Sequence, residues 1–290
     1  MNLYACLYAP GNLPLLMECA REFSPHLEEV PPDALIFDLE DAVAPDAKEL
    51  ARRQVLEAVK ARGFGKREIV IRINALATAW GADDLAAAVE AGPDAILIPK
   101  VSHAKDLADV EARLGAAPTK LWAMVETPLA ILKIVEIAGA GGRLASLVMG
   151  TNDLIKEFGG LHTPDRLNLS AALGLSVAAA RAFGLAVIDG VYNDINDSDG
   201  FYGSCRQGRA FGFDGKTLIH PSQLGPCNEV FAPSPEEIEA ARKIIAAFDK
   251  PENRGKGAIS LDGRMVELLH PEIARNTVAV ADAIAALEAQ

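Results

Sequence analysis

Acidic, basic and amide side chains stand at the ends of successive short apolar runs, and these residues could do chemistry together. The set comprises Asp38, Glu40, Asp41, Arg72, Asn74, Lys100, Glu126, Asp153, Asp189 and His220. Carboxylates that share a site of low dielectric need protonation, cationic partners or a metal ion. Two carboxylates completed by water and substrate oxygens are typical of Mg²⁺, whereas zinc sites use His and Cys clusters that this sequence lacks. The pattern therefore favours a magnesium site beside an arginine.

The spacing within the runs predicts which side chains point the same way. Residues two apart in a strand share a face, so Asp38 shares one with Glu40, and Arg72 shares one with Asn74. If Arg72 and Glu126 both point into one opening, charges of both signs converge there.

Each of these residues also has a purely structural interpretation. Residues 38–41 could cap the following helix and pair with Lys48 or Arg52. Lys100 could be the ion-pair partner of a buried acid, and His220 could only hydrogen-bond within the fold. These interpretations are weaker jointly than singly, because nearly every run ends in polar residues.

The apolar runs that carry these residues predict eight strands, at residues 3–9, 34–39, 68–74, 95–100, 120–126, 144–149, 185–191 and 217–220. Several are apolar on both faces, as buried parallel strands are. Helical patterns lie between them, at residues 47–61, 82–91, 104–114, 128–138 and 167–183. The alternation predicts an α/β fold, a (β/α)8 TIM barrel, whose active site lies at the carboxyl ends of the strands.

Two further helical patterns, at residues 235–248 and 271–287, follow the eighth unit and are joined by a glycine-containing link. We therefore predict a catalytic barrel domain over residues 1–232. Residues 233–290 are predicted to form a C-terminal helical extension that packs on a neighbouring subunit.

Composition narrows the class of protein. The net charge of −12 disfavours nucleic acid as a partner, because neutralising phosphates requires clustered Lys and Arg. The apolar runs are too short to span a membrane, and the N-terminus lacks a signal-peptide pattern. The four cysteines form no C-x-x-C motif, as expected of free thiols in a reducing compartment. We expect a cytoplasmic protein.

Several motifs, in this order and spacing, resemble those of one family. They are residues 7–11 (LYAPG), 37–43 (FDLEDAV), 72–74 (RIN), 98–100 (IPK), 126–128 (ETP), 150–154 (GTNDL) and 212–221 (GFDGKTLIHP). Over nearly the whole chain the sequence resembles the citrate lyase β-subunit family of CoA ester lyases, within the HpcH/HpaI aldolase superfamily.

The resemblance implies a homo-oligomer (trimer or hexamer) that binds Mg²⁺ through Glu126 and Asp153 and contacts substrate through Arg72. It also implies reversible Claisen-type cleavage of a 3-hydroxyacyl-CoA to a 2-keto acid and an acyl-CoA, so we expect a carbon–carbon lyase. With the polar strand ends, it leads to two sets of predicted site residues. The predicted catalytic residues are Arg72, Glu40, Asp41 and Glu267, and the predicted substrate-binding residues are Arg72, Glu126, Lys100 and Asn74.

Two departures from the family pattern keep other activities open. Glu267 stands where the family has a catalytic Asp, and Tyr4 stands where many members have an Arg near the CoA-binding edge. The alternatives are a thioesterase or synthase acting on the same thioesters, or a keto-acid aldolase that needs no CoA. A β-like subunit active only in a larger complex, on an acyl-carrier-protein thioester, is a further alternative.

Overall fold

The computed structural model describes residues 4–10 and 32–288. Eight parallel strands form a closed barrel in chain order, and β8 pairs with β1 to complete it. The strands are β1 (Tyr4–Pro10), β2 (Ala34–Asp38), β3 (Glu68–Arg72), β4 (Ala95–Ile98), β5 (Lys120–Val125), β6 (Leu144–Met149), β7 (Ala186–Asp189) and β8 (Gly215–Leu218). The predicted TIM barrel is confirmed.

Helices follow the strands of the barrel. They are α1 (Lys48–Ala61), α2 (Gly81–Ala91), α3 (Ala104–Leu114), α4 (Pro128–Leu132), α5 (Ile134–Ala138), α6 (Thr151–Phe158), α7 (Ser170–Phe183), α8 (Ser198–Phe211) and α9 (Leu224–Phe231). The single helix predicted over residues 128–138 is wrong in one respect, because Lys133, with a φ of −112°, separates α4 from α5. Thr127 begins α4 by accepting a hydrogen bond from the backbone N–H of Ala130.

The strands are apolar on both faces because the barrel interior covers one face and the helices cover the other. In β2, for example, Leu35, Ile36 and Phe37 are all buried. The interior cluster consists of Cys6, Ala34, Ile36, Val70, Ala95, Leu97, Trp122, Met124, Val148 and Ile188. Asp38 and Arg72 lie two residues beyond Ile36 and Val70, at the carboxyl ends of β2 and β3. They therefore lie on the same inward face of their strands.

Several strands end earlier than the sequence predicted. β3 ends at Arg72, β4 at Ile98 and β5 at Val125, so Asn74, Lys100 and Glu126 lie beyond the strands. The candidate site is therefore built largely from the first residues of the loops that leave the barrel, as active sites on this fold are.

The described chain divides into one compact unit, Tyr4–Asn228, and a second one that begins at Glu229. The second unit contains α10 (Pro235–Asp249), the antiparallel hairpin β9 (Ala258–Leu261) and β10 (Arg264–Glu267), and α11 (Leu269–Glu288). The expectation of a purely helical extension omitted this hairpin. Its turn, Asp262-Gly263, has positive φ at both residues (50° and 77°), which is the backbone that a two-residue hairpin turn requires.

The cysteines and the helices can be compared with the expectations of free thiols and of no membrane-spanning segment. Cys6, Cys205 and Cys227 are buried free thiols, whereas Cys19 lies outside the described residues. Within residues 4–10 and 32–288, no helix is both long enough and apolar enough to cross a membrane.

Candidate active site

Arg72 is held in the barrel mouth by two carboxylates. Its Nε and Nη2 each donate to an oxygen of Asp38 over 2.6 Å, and its Nη1 lies 3.0 Å from Glu40 Oε2. Asp38 and Arg72 are register partners on adjacent strands, which explains the two-pronged geometry. Both residues are buried, so the guanidinium has a fixed orientation as well as a permanent charge.

Lys100 connects the ends of three strands. Its Nζ lies 2.7 Å from Glu40 Oε1 and 3.7 Å from Asp153 Oδ2, and its backbone N–H donates to Glu126 Oε1 over 2.7 Å. The residue adopts a left-handed backbone with a φ of 54°. The structural alternative for Lys100, an ion pair with a buried acid, is what the structure contains, although the Lys100 side chain itself is partly exposed.

Glu126 is a deeply buried carboxylate at the mouth, with 1% of its surface exposed. Burial, together with the negative charge of Glu40, raises the pKa of Glu126 to about 7. Burial also raises the pKa of Glu40, against the opposing effects of Arg72 and Lys100. Desolvation thus disfavours the charged form of these carboxylates, and a bound cation would offset that cost.

Glu126 and Asp153 fit a magnesium ion by donor type. Both line one cavity, and Asp153 projects from the first turn of α6. Among the described residues no group of three His, Cys, Asp or Glu side chains could hold a metal. Magnesium commonly takes only one or two carboxylates and keeps water and substrate oxygens as its other ligands, so the pair suffices.

Gly150 makes room for the Glu126 carboxylate. A Cβ at this position would lie 2.4 Å from Glu126 Oε2 and 2.5 Å from Glu126 Cβ. Such distances are far inside van der Waals contact, and the buried Glu126 could relieve them only by moving. The glycine between β6 and α6 is thus a positioning residue for the carboxylate on the neighbouring strand.

We expect Gly150→Ala to lower Mg²⁺ affinity about 10-fold or more, because the added methyl group displaces the Glu126 carboxylate. Titration of metal binding by calorimetry would measure the loss. Gly203→Ala is the matched control, since a Cβ there meets nothing within 4 Å, and alanine is favoured over glycine in a helix by about 1 kcal/mol. Equal metal affinity in the two variants would contradict the assignment.

Asn74, predicted to bind substrate, has its amide engaged within the protein. Its Nδ2 donates to Leu39 O over 2.7 Å and to Asp84 Oδ2 over 2.6 Å, and its Oδ1 accepts from Lys48 Nζ over 2.9 Å. Lys48 Nζ also donates to the carbonyls of Leu39 and Glu40 over 2.8 and 2.7 Å. Asn74 and Lys48 are buried, and together they fix the loop that carries Glu40.

The cavity at the mouth has a volume of about 390 Å³. Its lining includes Asp41, Arg72, Glu126 and Asp153 from the predicted set, together with Tyr8, for which the sequence suggested no role. The Arg72 guanidinium carbon lies 4.9 Å from the centroid of the Tyr8 ring. Tyr8 occurs in the LYAPG motif near the carboxyl end of β1. That position, at the end of the strand where the site was predicted, is the signal that could have identified it.

Three other polar residues, Asp189, His220 and Glu267, have different surroundings from those of the cavity residues. Asp189 is completely buried between Lys216 Nζ, at 2.9 Å, and Arg166 Nη1, at 2.8 Å. The His220 Nδ1 accepts from the backbone N–H of Ser222, which leaves this exposed side chain in its own loop. Glu267 lies on β10 in the C-terminal unit. These interactions give Asp189 and His220 structural roles.

In barrels of this type the carboxyl ends of the strands are where catalysis takes place. The cavity at that end collects a fixed arginine and several carboxylates, so the chain is an enzyme of the (β/α)8 class. It belongs to the HpcH/HpaI aldolase/citrate lyase family, whose sequence model matches residues 5–221.

Relatives within this family have different activities. A (3S)-malyl-CoA thioesterase from Cereibacter sphaeroides (strain KD131) is 50% identical over 283 residues, which cover 98% of this chain and 96% of the relative. The citrate lyase subunit beta of Escherichia coli (strain K12) is 37% identical over 246 residues, covering 82% of each chain.

A solved structure shares the fold. The crystal structure of CitE from Mycobacterium tuberculosis in complex with magnesium, acetoacetate and coenzyme A is 29% identical, with a TM-score of 0.76. The alignment covers 95% of this chain and 98% of that one. Magnesium is therefore a ligand of structural relatives within the family.

These comparisons confirm the predicted family and correct the predicted activity. We expected carbon–carbon bond cleavage from the resemblance to citrate lyase β. Relatives at 50% identity over nearly the whole chain are instead thioesterases, and the citrate lyase β-subunits are less similar, at 35–37%. The lyase expectation was wrong because the chain is similar over most of its length to both thioesterases and citrate lyase β-subunits, so the family motifs alone did not distinguish the two activities.

Proposed function

We propose that this enzyme hydrolyses the thioester of a malyl-CoA-type substrate, giving the free hydroxy acid and CoA, with Mg²⁺ bound by Glu126 and Asp153. The observation that carries the proposal is the 50% identity to (3S)-malyl-CoA thioesterases over 98% of the chain. The oxygen-donor pair beside a fixed arginine in a cavity of about 390 Å³ supports it. The homo-oligomer expected from the family stays a prediction.

The residues of the mouth have distinct parts in the proposed reaction. When bound, Mg²⁺ supplies a Lewis acid and a template for the oxygens of the malyl group. Glu126 and Asp153 hold it, and Lys100 fixes one oxygen of Glu126 through its backbone N–H. Arg72, oriented by Asp38, lines the cavity where negative charge develops.

Asp41 is our choice for the general base that takes a proton from the attacking water. It is exposed, lines the cavity, and its carboxylate accepts no hydrogen bond or ion pair from the described residues. The neighbouring Glu40 is less suited, because Arg72 and Lys100 both engage its carboxylate. A base needs a free lone pair on the cavity side, and the unengaged carboxylate of Asp41, a residue of the cavity lining, supports this choice.

The experiment is to incubate the enzyme with (3S)-malyl-CoA and Mg²⁺ and to measure free thiol and glyoxylate in parallel. Hydrolysis releases CoA thiol with malate, whereas carbon–carbon cleavage releases glyoxylate and leaves the thioester intact. We expect thiol release without glyoxylate. Acetyl-CoA, which has the thioester but lacks the malyl hydroxyl and carboxylate, is the control and should not be hydrolysed. Glyoxylate without thiol would refute the proposal.

A further inference from the structure

Tyr8 lines the cavity, and its hydroxyl has no strong hydrogen-bond partner among the described residues. The partner it has is Met124 Sδ, at 3.9 Å, and a thioether is a weak acceptor. The residue lines the cavity and its ring packs against the interior cluster of the barrel. A partly buried phenol that reaches so poor an acceptor has donor capacity to spare for a ligand.

A second donor converges on the same atom. Arg72 Nη1 lies 3.5 Å from Met124 Sδ, so the phenol and the guanidinium, which come from different strands, both point at the methionine sulfur on the cavity wall. The stacking of Arg72 over the Tyr8 ring, at 4.9 Å, fixes the two groups relative to each other. Because a thioether is a weak acceptor, both donors keep capacity for a substrate oxygen placed beside the sulfur, and two such donors stabilise an oxygen on which charge develops.

The local charges indicate what kind of oxygen binds there. Arg72 is already paired with Asp38 and Glu40, and a third carboxylate arriving beside them would be repelled. An oxygen that is neutral in the bound substrate and becomes charged only during reaction avoids this repulsion. A thioester carbonyl oxygen has that property.

We propose that the Tyr8 hydroxyl, together with Arg72 Nη1, donates a hydrogen bond to the thioester carbonyl oxygen of the substrate. The inference rests on the proposed thioesterase function and adds a catalytic residue to it. The water oxygen adds to the carbonyl carbon, the π electron pair moves onto the oxygen held by the two donors, and the water proton passes to Asp41. When the C=O bond re-forms, the C–S bond breaks, and the departing thiolate takes the proton back from Asp41 to become the CoA thiol.

The test compares Tyr8→Phe, which removes only the hydroxyl and keeps the ring under Arg72, with Tyr202→Phe as a matched change on α8. Tyr8→Phe is expected to lower kcat for malyl-CoA about 100-fold with little change in KM, as loss of one such donor does in other enzymes. Tyr202→Phe should match the unmodified enzyme. An unchanged unfolding midpoint in both variants would show that the fold is intact.

Binding of two unreactive analogues separates the carbonyl from the acid end of the substrate. One is a ketone with CH₂ in place of sulfur, which keeps the carbonyl oxygen, and the other is a thioether with CH₂ in place of the carbonyl. We expect Tyr8→Phe to bind the ketone about 5-fold more weakly and the thioether equally well. Equal weakening of both analogues and of malate would place Tyr8 at the acid end and overturn the inference.

The two proposals fail in different ways. If the unmodified enzyme releases thiol from malyl-CoA and Tyr8→Phe does so at the same rate, the inference about Tyr8 fails and the thioesterase function stands. If the unmodified enzyme neither releases thiol nor binds the ketone, the thioesterase function fails, and the role of Tyr8 fails with it.

Discussion

Glu126→Gln is expected to reduce Mg²⁺ affinity and thioester hydrolysis each by at least about 100-fold, since it removes one of two carboxylates in a candidate site with few protein ligands. Glutamine keeps the size of the side chain and an oxygen that can accept from the Lys100 N–H, so the backbone contact is preserved. Calorimetric titration of the purified variant with Mg²⁺ measures the metal affinity separately from turnover.

Glu157→Gln provides the control for this change. Glu157 is exposed on α6, the helix that carries Asp153, and the substitution removes the same charge from the same region. It should leave both metal affinity and activity within about twofold of the unmodified enzyme. A Glu126→Gln protein that binds Mg²⁺ as tightly as the control would exclude Glu126 as a ligand.

Arg72→Met is expected to abolish activity and to lower the free energy of unfolding by about 3–5 kcal/mol. The large destabilisation follows because the substitution leaves Asp38, which has 0% of its surface exposed, as an uncompensated buried charge. Methionine approximates the volume of the arginine stem, so little of the effect comes from an empty space. Denaturant unfolding monitored by circular dichroism would give the free energy.

The double variant Asp38→Asn, Arg72→Met separates stability from catalysis. Removing both charges should recover much of the lost stability, since the asparagine oxygen can still accept from the backbone N–H of Glu40 or Ala42. It should not recover activity, because the donor at Nη1 is gone. Recovery of hydrolysis in the double variant would show that Arg72 serves only to neutralise Asp38.

The barrel could be predicted from the sequence because each strand is buried on both faces and therefore appears as a short, continuous apolar run. The bounds of β6 agree with the prediction, whereas β3, β4 and β5 stop at Arg72, Ile98 and Val125, before the predicted ends. Composition does not show where a strand ends, because the ladder stops when the neighbouring strand turns away.

The candidate site was only partly predictable for a related reason. Residues of the right chemical type were found at Glu126, Asp153 and Arg72, since charge stands out against apolar strands. Which of these residues face the cavity depends on neighbours from other strands. Asn74 appeared equivalent to Arg72 in sequence, yet its hydrogen bonds to Leu39 and Asp84 lie within the protein. Spacing along one strand cannot reveal such partners.

Aromatic and glycine positions show the same limit. The position of Tyr8 near the end of β1 hints at the mouth, but its contact with Arg72, which lies on another strand, appears only in the structure. Gly150 matters because it has no Cβ, which leaves room for the Glu126 carboxylate at the end of the adjacent strand. By contrast, the Asp262-Gly263 dipeptide was a signal in the sequence for the hairpin that the predicted helical extension omitted, since Asp-Gly favours a two-residue hairpin turn.

The ammonium of Lys48 has a thermodynamic consequence for ligand binding. Its three hydrogen bonds, to the carbonyls of Leu39 and Glu40 and to Asn74, use its full donor capacity and fix the loop after β2 in the folded protein. Burial lowers the pKa of Lys48, which shows that keeping it charged there opposes folding. The conformational entropy that a mobile loop would lose with each binding event is instead lost once, when the chain folds. The fixed loop after β2 therefore lowers the entropic cost of ligand binding, while the buried Lys48 lowers the stability of the folded protein.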